Sequence, residues 1–141
     1  MAFISSHVGN QRLLRKLLRA NLTSGGFGDL RYHLYQNDIL PDRDSATADF
    51  TECDFDGYNS VLLEKGNWSE PTIVNGGAES TYGSDPISWT CGVNGNVVHG
   101  YYVVDEDSGE LMWAERFSIP RPLTEGGTLS VQPVCGITSE S

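Results

Sequence analysis

The stretch VVHGYYVVDEDSGELMWAERFSI, residues 97–119, decides the fold because it predicts two long β-strands joined by a tight turn. Residues 97–105 and 110–119 are together rich in valine and aromatic residues, which favour strands. Oxygen-bearing side chains alternate through residues 105–110, as in a calcium loop, but a loop of the EF-hand kind also needs flanking helices and a further bidentate acid. A hairpin with Gly109 in a left-handed conformation accounts for the same residues and is the favoured interpretation.

Beyond the first 28 residues, the chain repeats this pattern of short apolar segments separated by glycine and asparagine turns. The alternation is clearest in LRYHLYQ (30–36), where Leu30, Tyr32 and Leu34 fall on one face of a strand. The further strands expected are 58–65, 71–74, 87–93 and 127–134. The sequence therefore predicts a mainly β fold, with an antiparallel β-sandwich or barrel-like domain over residues 29–141.

Residues 1–28 form a basic arm that differs from the rest of the chain. They contain no aspartate or glutamate, and the segment NQRLLRKLLRANL (10–22) has the spacing of an amphipathic helix. Four leucines share one face of that helix and four cations share the other: Leu13, Leu14, Leu17 and Leu18, and Arg12, Arg15, Lys16 and Arg19. A helix of about twelve residues without acidic partners is marginal alone in water. An N-terminal amphipathic α-helical arm is therefore expected to precede the β domain and to be ordered by contact with another surface.

The charge of the chain is distributed unevenly between the arm and the β domain. The formal net charge is -10, and residues 29–141 carry five cations against nineteen acids. So acidic a domain repels nucleic acid, and direct nucleic-acid binding is not expected. No run approaches the 18 or more apolar residues of a membrane span, and cations interrupt the leucines too often for a secretory signal. The three cysteines, Cys53, Cys91 and Cys135, are expected to be reduced and mostly buried thiols.

The sequence predicts no catalytic residues, metal site or cofactor. A carboxylate-rich stretch is best interpreted as a solvated acidic loop, since nothing local sets a catalytic pair: Asp42, Asp44, Asp49, Glu52, Asp54 and Asp56. Cys135 has no nucleophile signature around it, and His99 lies inside an apolar strand as a core or interface residue. Trp89 alternates with apolar neighbours and is expected in the core, whereas Trp68, in a predicted loop, is the tryptophan to test for surface exposure.

Three segments of the β region resemble small structural proteins of tailed bacteriophages. These are ATADFTECDFDGYNSVLL (46–63), GYYVVDEDSGELMWAERF (100–117) and GGTLSVQP (126–133), and the likeness covers residues 30–134 but not the arm. The resemblance implies a trimeric, β-rich capsid cement (decoration) protein that sits where capsomers meet and clamps the shell.

Three interpretations compete for the arm: packing on its own β domain, lying on a membrane surface, or docking on another protein. The missing acids disfavour the first, the acidic domain disfavours the second, and the phage resemblance favours the third. The sequence thus predicts a non-enzymatic virion protein, assembled in the host cytoplasm, that binds the major capsid protein as a homotrimer and contacts no membrane. Its partner-binding residues are expected to be the four leucines and four cations named above, Arg12 to Arg19. The alternatives are a tail or neck adaptor and a surface carbohydrate-binding module that uses Trp68.

Overall fold

The computed structural model describes residues 29–74 and 77–138, so the predicted arm of residues 1–28 lies outside the described residues. Within the described ranges the strands are β1 (Leu30–Tyr35), β2 (Val61–Leu63), β3 (Thr72–Val74), β4 (Gly77–Thr81), β5 (Ile87–Thr90), β6 (Asn96–Asp105), β7 (Leu111–Leu123), β8 (Thr128–Val131) and β9 (Val134–Thr138). Two short 3₁₀ helices span Thr47–Asp49 and Lys65–Asn67.

The strands form antiparallel sheets, which confirms the prediction of a mainly β chain. A four-stranded sheet has the order β2-β1-β6-β7, a three-stranded sheet has the order β3-β4-β9, and β5 pairs with β8. The pairs β1–β2, β1–β6, β6–β7, β3–β4 and β4–β9 are all antiparallel.

The described residues fall into two compact units. The larger unit contains Asp29–Leu63 and Ser88–Val131, and with them the four-stranded sheet. The smaller unit contains the described residues of Glu64–Ile87 together with 132–138, and with them the three-stranded sheet. The predicted boundary between an arm and a single β domain stays a prediction.

In the larger unit, strand β1 is covered on both faces. Leu30, Tyr32 and Leu34 are each at most 1% exposed, as their alternation predicts. The opposite face also carries a buried cluster, formed by Tyr35, Phe50, Tyr102 and Val104 with Ile39, Leu111 and Ala114 packed against it. The rings of Phe50 and Tyr102 stack with centroids 4.6 Å apart. Because both faces of this central strand are covered, its buried residues do not strictly alternate with polar ones. Tyr35 follows Arg31 and His33 on the second face, so the sequence alone suggests that it faces solvent.

The β6–β7 hairpin has the turn that the sequence predicts. Gly109 has a φ of 75°, in the left-handed region that favours glycine, and its N–H donates to the carbonyl of Asp105 at 2.8 Å. The Ser108 hydroxyl donates to the Asp105 carboxylate at 2.7 Å. Asp105 therefore holds the turn of this hairpin with both its backbone and its side chain.

Strand β7 leaves the ladder briefly opposite His99. Val98 of β6 pairs with Arg121, whereas Gly100 pairs with Arg116, so residues 117–120 bulge out between the two pairs. Gly100 is required where the ladder resumes, because a Cβ there would lie 2.3 Å from the Glu115 carbonyl oxygen. The bulge carries β7 past its expected end at residue 119, to Leu123.

The smaller unit is built around a tryptophan that the sequence places in a loop. Trp68 is only 2% exposed; its backbone forms an isolated bridge with Tyr82, and the two rings meet edge to face at 5.3 Å. The buried Ser80 donates its hydroxyl hydrogen to the carbonyl of Ser69 at 2.7 Å. The expectation that Trp68 is a candidate surface residue is wrong, because the bridge to Tyr82 turns the indole inward.

The structure differs from the sequence predictions at four strands. The expected strand 127–134 is divided at Pro133, which has no N–H for a ladder, into β8 and β9 of different sheets. Strand β4, sequence GAEST, was not expected because its small polar residues have low strand propensity. Of the expected strands 58–65 and 87–93, only Val61–Leu63 and Ile87–Thr90 are extended and paired.

Candidate functional site

The partner-binding residues expected from the sequence lie outside the described residues. This applies to Arg12, Leu13, Leu14, Arg15, Lys16, Leu17, Leu18 and Arg19. The polar and aromatic groups of the larger unit are therefore described here as the candidate sites that the structure itself presents.

The carboxylate of Glu52 is a meeting point of polar contacts beside β1. Its Oε2 atom lies 2.6 Å from the hydroxyl of Tyr58, which donates to it, and 2.6 Å from Nδ1 of His33. The Tyr58 hydroxyl oxygen in turn accepts the backbone N–H of Leu34 at 3.1 Å. Burial, followed by the hydrogen bond to Glu52, raises the pKa of Tyr58 above its ordinary value, so its hydroxyl keeps its proton. These contacts fasten the segment that follows Phe50 to the first strand.

Arg31, near the start of β1, extends the polar contacts of His33 and Glu52 into a row along the strand. Its Nε and Nη2 donate to both oxygens of Glu106, at 2.7 and 3.2 Å, and its Nη1 donates to the Ser60 hydroxyl at 3.2 Å. The hydrogen bond from Arg31 lowers the pKa of Glu106 below its usual range. Both side chains are partly exposed, so the pair orients groups more than it stabilises the fold.

His33 is the side chain of this row with the greatest chemical capability. Glu52 orients its ring, and the ring stacks on Tyr102 with centroids 4.7 Å apart and planes 9° apart. A carboxylate-oriented histidine can act as a general base only toward a nucleophile within hydrogen-bond reach. The Ser60 hydroxyl accepts a hydrogen bond from Arg31 Nη1 at 3.2 Å, and the contacts of the His33 ring described here are those to Glu52 and Tyr102.

A second charged group lies where β7 begins its bulge. Nη2 of Arg116 is 2.5 Å from the Asp38 carboxylate, and Nδ1 of His99 is 3.9 Å from the same oxygen. His99 is mostly buried, as the sequence predicts for a core or interface residue. The group connects the loop after β1 to β6 and β7.

The three cysteines are free thiols that are wholly or partly buried. Cys53 and Cys91 are buried and Cys135 is half-buried, and all three are free thiols, as expected. Burial raises the pKa of Cys135 to about 11 and, with Asp54 and Glu52 adding to the effect, that of Cys53 to about 12. A thiol that stays protonated is a poor nucleophile.

Half-buried aromatic residues lie on one face of β6 and β7, an inner strand and an edge strand of the four-stranded sheet. The ladder places Val103 between Tyr32 and Trp113, and Tyr101 between Leu34 and Glu115, so these side chains share a face. Phe117 lies next to Tyr101, with ring centroids 6.4 Å apart. We call Tyr101, Trp113, Phe117 and Glu115 the aromatic shelf; the three rings are half-buried, whereas the Glu115 side chain is exposed.

Tyr32 lies beside the inner end of the aromatic shelf, on the same face of the sheet. Its ring stacks on Tyr101, with centroids 4.7 Å apart, and also faces Trp89 at 6.2 Å. Trp89 is 4% exposed, which confirms its expected place in the core. The Tyr32 hydroxyl is buried and makes no hydrogen bond among the described residues.

The described residues contain no cluster of histidine, cysteine and acidic side chains suited to a metal ion. Among these residues there is also no helix long and apolar enough to cross a membrane. Comparisons with protein-family models, curated proteins and solved structures found no match to the chain.

Neither the Glu52 contacts nor the aromatic shelf was predicted from the sequence. The partners of Glu52 lie 19 and 6 residues away, at separations that no helix or strand period would indicate. The shelf has a partial signal, because Trp113, Glu115 and Phe117 alternate along one predicted strand. Only the pairing of β7 with β6, and of β6 with β1, places Tyr101 and Tyr32 beside them.

Proposed function

We propose that this chain is a structural protein of a tailed-bacteriophage virion, a capsid cement protein that binds the major capsid protein where capsomers meet. In this proposal it acts as a homotrimer on the outer capsid surface, after assembly in the host cytoplasm, and catalyses no reaction. Its basic arm is an amphipathic helix, and the β region is a sandwich or barrel-like body. The phage resemblance of residues 30–134 supports the assignment.

The observation that carries the proposal is the separation of charge and apolar surface along the chain. Residues 1–28 hold four cations and no acid, whereas residues 29–141 hold nineteen acids and five cations. A helix that bears leucines on one face and unopposed cations on the other fits an apolar groove with an acidic rim on a neighbouring protein. The acidic body itself disfavours nucleic acid and anionic lipid as the partner.

The surface of the larger unit is consistent with additional contacts through side chains. Leu40, Val93 and Ile119 are 72–74% exposed, well above the exposure of the other apolar residues of that unit. Pro120 and Pro122 interrupt the donors along β7, an edge strand of its sheet, and thereby limit pairing with a foreign strand. Contacts of the body would therefore involve side chains rather than an extended sheet.

Arms that each dock weakly can still hold the protein on the capsid lattice, because the arms of one trimer dock together. Burying each of Leu13, Leu14, Leu17 and Leu18 contributes on the order of 1.5–3 kcal/mol before the entropic cost of ordering the arm. A trimer presents three arms, and simultaneous docking raises the apparent affinity without any new contact. Many modest, repeated contacts across capsomer boundaries would resist the pressure of packaged DNA.

The double variant Leu14→Asp/Leu17→Asp tests the arm as the anchor. The β region should fold as before, as judged by circular dichroism, and occupancy on purified particles should be lost because charged side chains cannot enter an apolar groove. Ile73→Asp is the matched control, since it places the same charge on an exposed apolar residue of the smaller unit that the proposal does not place in a contact, and it should keep full occupancy. Full occupancy of the double variant would reject the arm as anchor.

Copy number separates cement from the alternative of a tail or neck adaptor. A cement protein is present at every capsomer junction, whereas an adaptor occupies a single ring. Quantitative mass spectrometry of purified virions measures this difference directly.

A further inference from the structure

We propose that the aromatic shelf on β6 and β7 is a binding site for neutral saccharides, with Tyr32 of the neighbouring strand β1 as a buried hydrogen-bond donor. This inference goes beyond the cement proposal and does not depend on it, because the shelf lies entirely within the larger unit.

The first argument is the geometry of the rings. The ladder aligns Tyr101 and Trp113 on adjacent strands of one sheet face, and Phe117 lies 6.4 Å from Tyr101. Tyr101, Trp113 and Phe117 are each half-buried, so each residue keeps part of its surface in contact with solvent. Aromatic faces with a few convergent polar groups form the usual surface for a ligand that is apolar on one side and polar at its edges. A pyranose ring has this character, with C–H groups on a face and hydroxyls around the rim.

The second argument is the buried Tyr32 hydroxyl. The Tyr32 residue is 1% exposed, and its hydroxyl makes no hydrogen bond among the described residues. Leaving a buried hydroxyl unsatisfied costs free energy, so such a group calls for an explanation. Burial raises the pKa of Tyr32 above its ordinary value, and Tyr101 and Glu115 raise it further, so this hydroxyl keeps its proton and stays a donor beside the shelf. A shift of the Tyr101 ring on binding would open this hydroxyl to a saccharide hydroxyl or ring oxygen, which would then satisfy it.

The third argument is the charge around the shelf. Glu115 is exposed directly opposite Tyr101, where its carboxylate can accept hydrogen bonds from sugar hydroxyls. The same carboxylate, in a domain of nineteen acids and five cations, disfavours uronic and sialic acids. The charge therefore selects neutral saccharides over anionic ones. Trp68, which the sequence favoured for this role, is 2% exposed and takes no part.

The test is a titration of the full-length protein, followed by NMR of the indole N–H signals. The probes are cellotetraose and tetra-N-acetylchitotetraose as neutral saccharides, and a hyaluronan tetrasaccharide as the anionic control. The Trp113 signal, identified by its loss in Trp113→Ala, should shift with a neutral probe, whereas the signals of the buried Trp68 and Trp89 should move less. The anionic probe should leave all three signals unchanged.

Tyr32→Phe is the decisive variant because it keeps the ring and removes only the hydroxyl. It should lower the affinity for the neutral probe about tenfold, the usual effect of one hydrogen bond. It should leave the free protein at least as stable in urea, since it deletes an unsatisfied group. Glu115→Gln should also weaken binding, and Ile119→Ala, an exposed apolar residue of the same strand outside the shelf, should not.

Two results would overturn the proposal: no shift of the Trp113 signal with either neutral probe, or binding that Tyr32→Phe and Glu115→Gln leave unchanged. The arm variant Leu14→Asp/Leu17→Asp should bind the probes normally, so failure of the capsid proposal and failure of this one are distinguishable.

Discussion

At the scale of single residues, Glu52 joins two other side chains although its own side chain is partly exposed. A surface carboxylate ordinarily contributes little to the free energy of folding. The Oε2 atom of Glu52, however, lies 2.6 Å from both the Tyr58 hydroxyl and Nδ1 of His33. Hydrogen bonds to an ionised oxygen are shorter and stronger than neutral ones. The residue thus fixes two side chains that pack into opposite faces of the sheet: Tyr58 near Trp89, and His33 on Tyr102.

Glu52→Gln should lower the free energy of unfolding by about 1–2 kcal/mol, because a neutral amide replaces the shared charged acceptor. Urea denaturation followed by fluorescence measures the change. Glu125→Gln, an exposed glutamate of the same unit, is the matched control and should stay within about 0.5 kcal/mol of the parent protein. Equal effects of the two substitutions would show that the Glu52 contacts contribute nothing to stability.

At the scale of elements, the β6–β7 hairpin depends on one backbone conformation. Gly109 has a φ of 75°, and a Cβ added there would meet no atom within 4 Å. The cost of a side chain at this position is therefore conformational and not steric. Gly100, by contrast, is limited by space, since a Cβ would lie 2.7 Å from the Tyr35 hydroxyl oxygen as well as against the Glu115 carbonyl.

Gly109→Ala should destabilise the protein by about 1–2 kcal/mol, the cost of holding an L-residue in the left-handed region. Gly109→Asn is the informative control, because asparagine tolerates that region and should recover a large part of the loss. Thermal unfolding of the three proteins measures the order. An alanine variant as stable as the parent would mean that the turn adopts another conformation at no cost.

The elements also show which parts of the fold can be predicted from sequence. The hairpin was predicted because its residue types, turn and length agree, and the inner face of β1 was predicted because Leu30, Tyr32 and Leu34 alternate. The residues of β4 carry no such signal, since Ala78 and Ser80 are too small to mark a buried face. The proline at position 133 indicates a break in the strand, but the sequence does not show that β8 and β9 join different sheets, because only long-range pairing decides this.

The candidate sites were less predictable than the strands for the same reason. Alternation reports which side chains share a strand face, but the neighbours of that face come from other strands. Tyr101 meets Tyr32 and Glu115 through pairing across three strands. Trp68 shows the opposite error, since a tryptophan between polar residues was interpreted as a loop residue although a single bridge buries it.

At the scale of the whole molecule, buried tyrosines make the stability of the fold depend on pH in the alkaline range. Burial raises the pKa of Tyr32, Tyr58 and Tyr102 above the ordinary value of 10.0. A raised pKa means that the folded state binds protons more tightly than the unfolded state. The resulting stabilisation is complete below pH 10 and declines as the pH rises above it.

Tyrosinate formation should therefore lag in the native protein. An absorbance titration should show fewer than the six tyrosines ionising near their ordinary pKa, and the remainder should ionise together with the loss of circular dichroism. The same chain in concentrated urea is the control and should titrate all six together. Six native tyrosines ionising with the fold intact would contradict the burial of these rings.

The way the chain divides between its two compact units sets an order for folding during synthesis. Strand β1 is synthesised well before its partner β6, which ends at Asp105, and β4 is synthesised well before its partner β9 at residues 134–138. Because each sheet pairs a strand with one that follows much later in the sequence, nascent chains carry unpaired strand edges until the later strand has been synthesised. Expression at reduced temperature or with chaperones should improve the soluble yield more than any change to the surface of the finished protein.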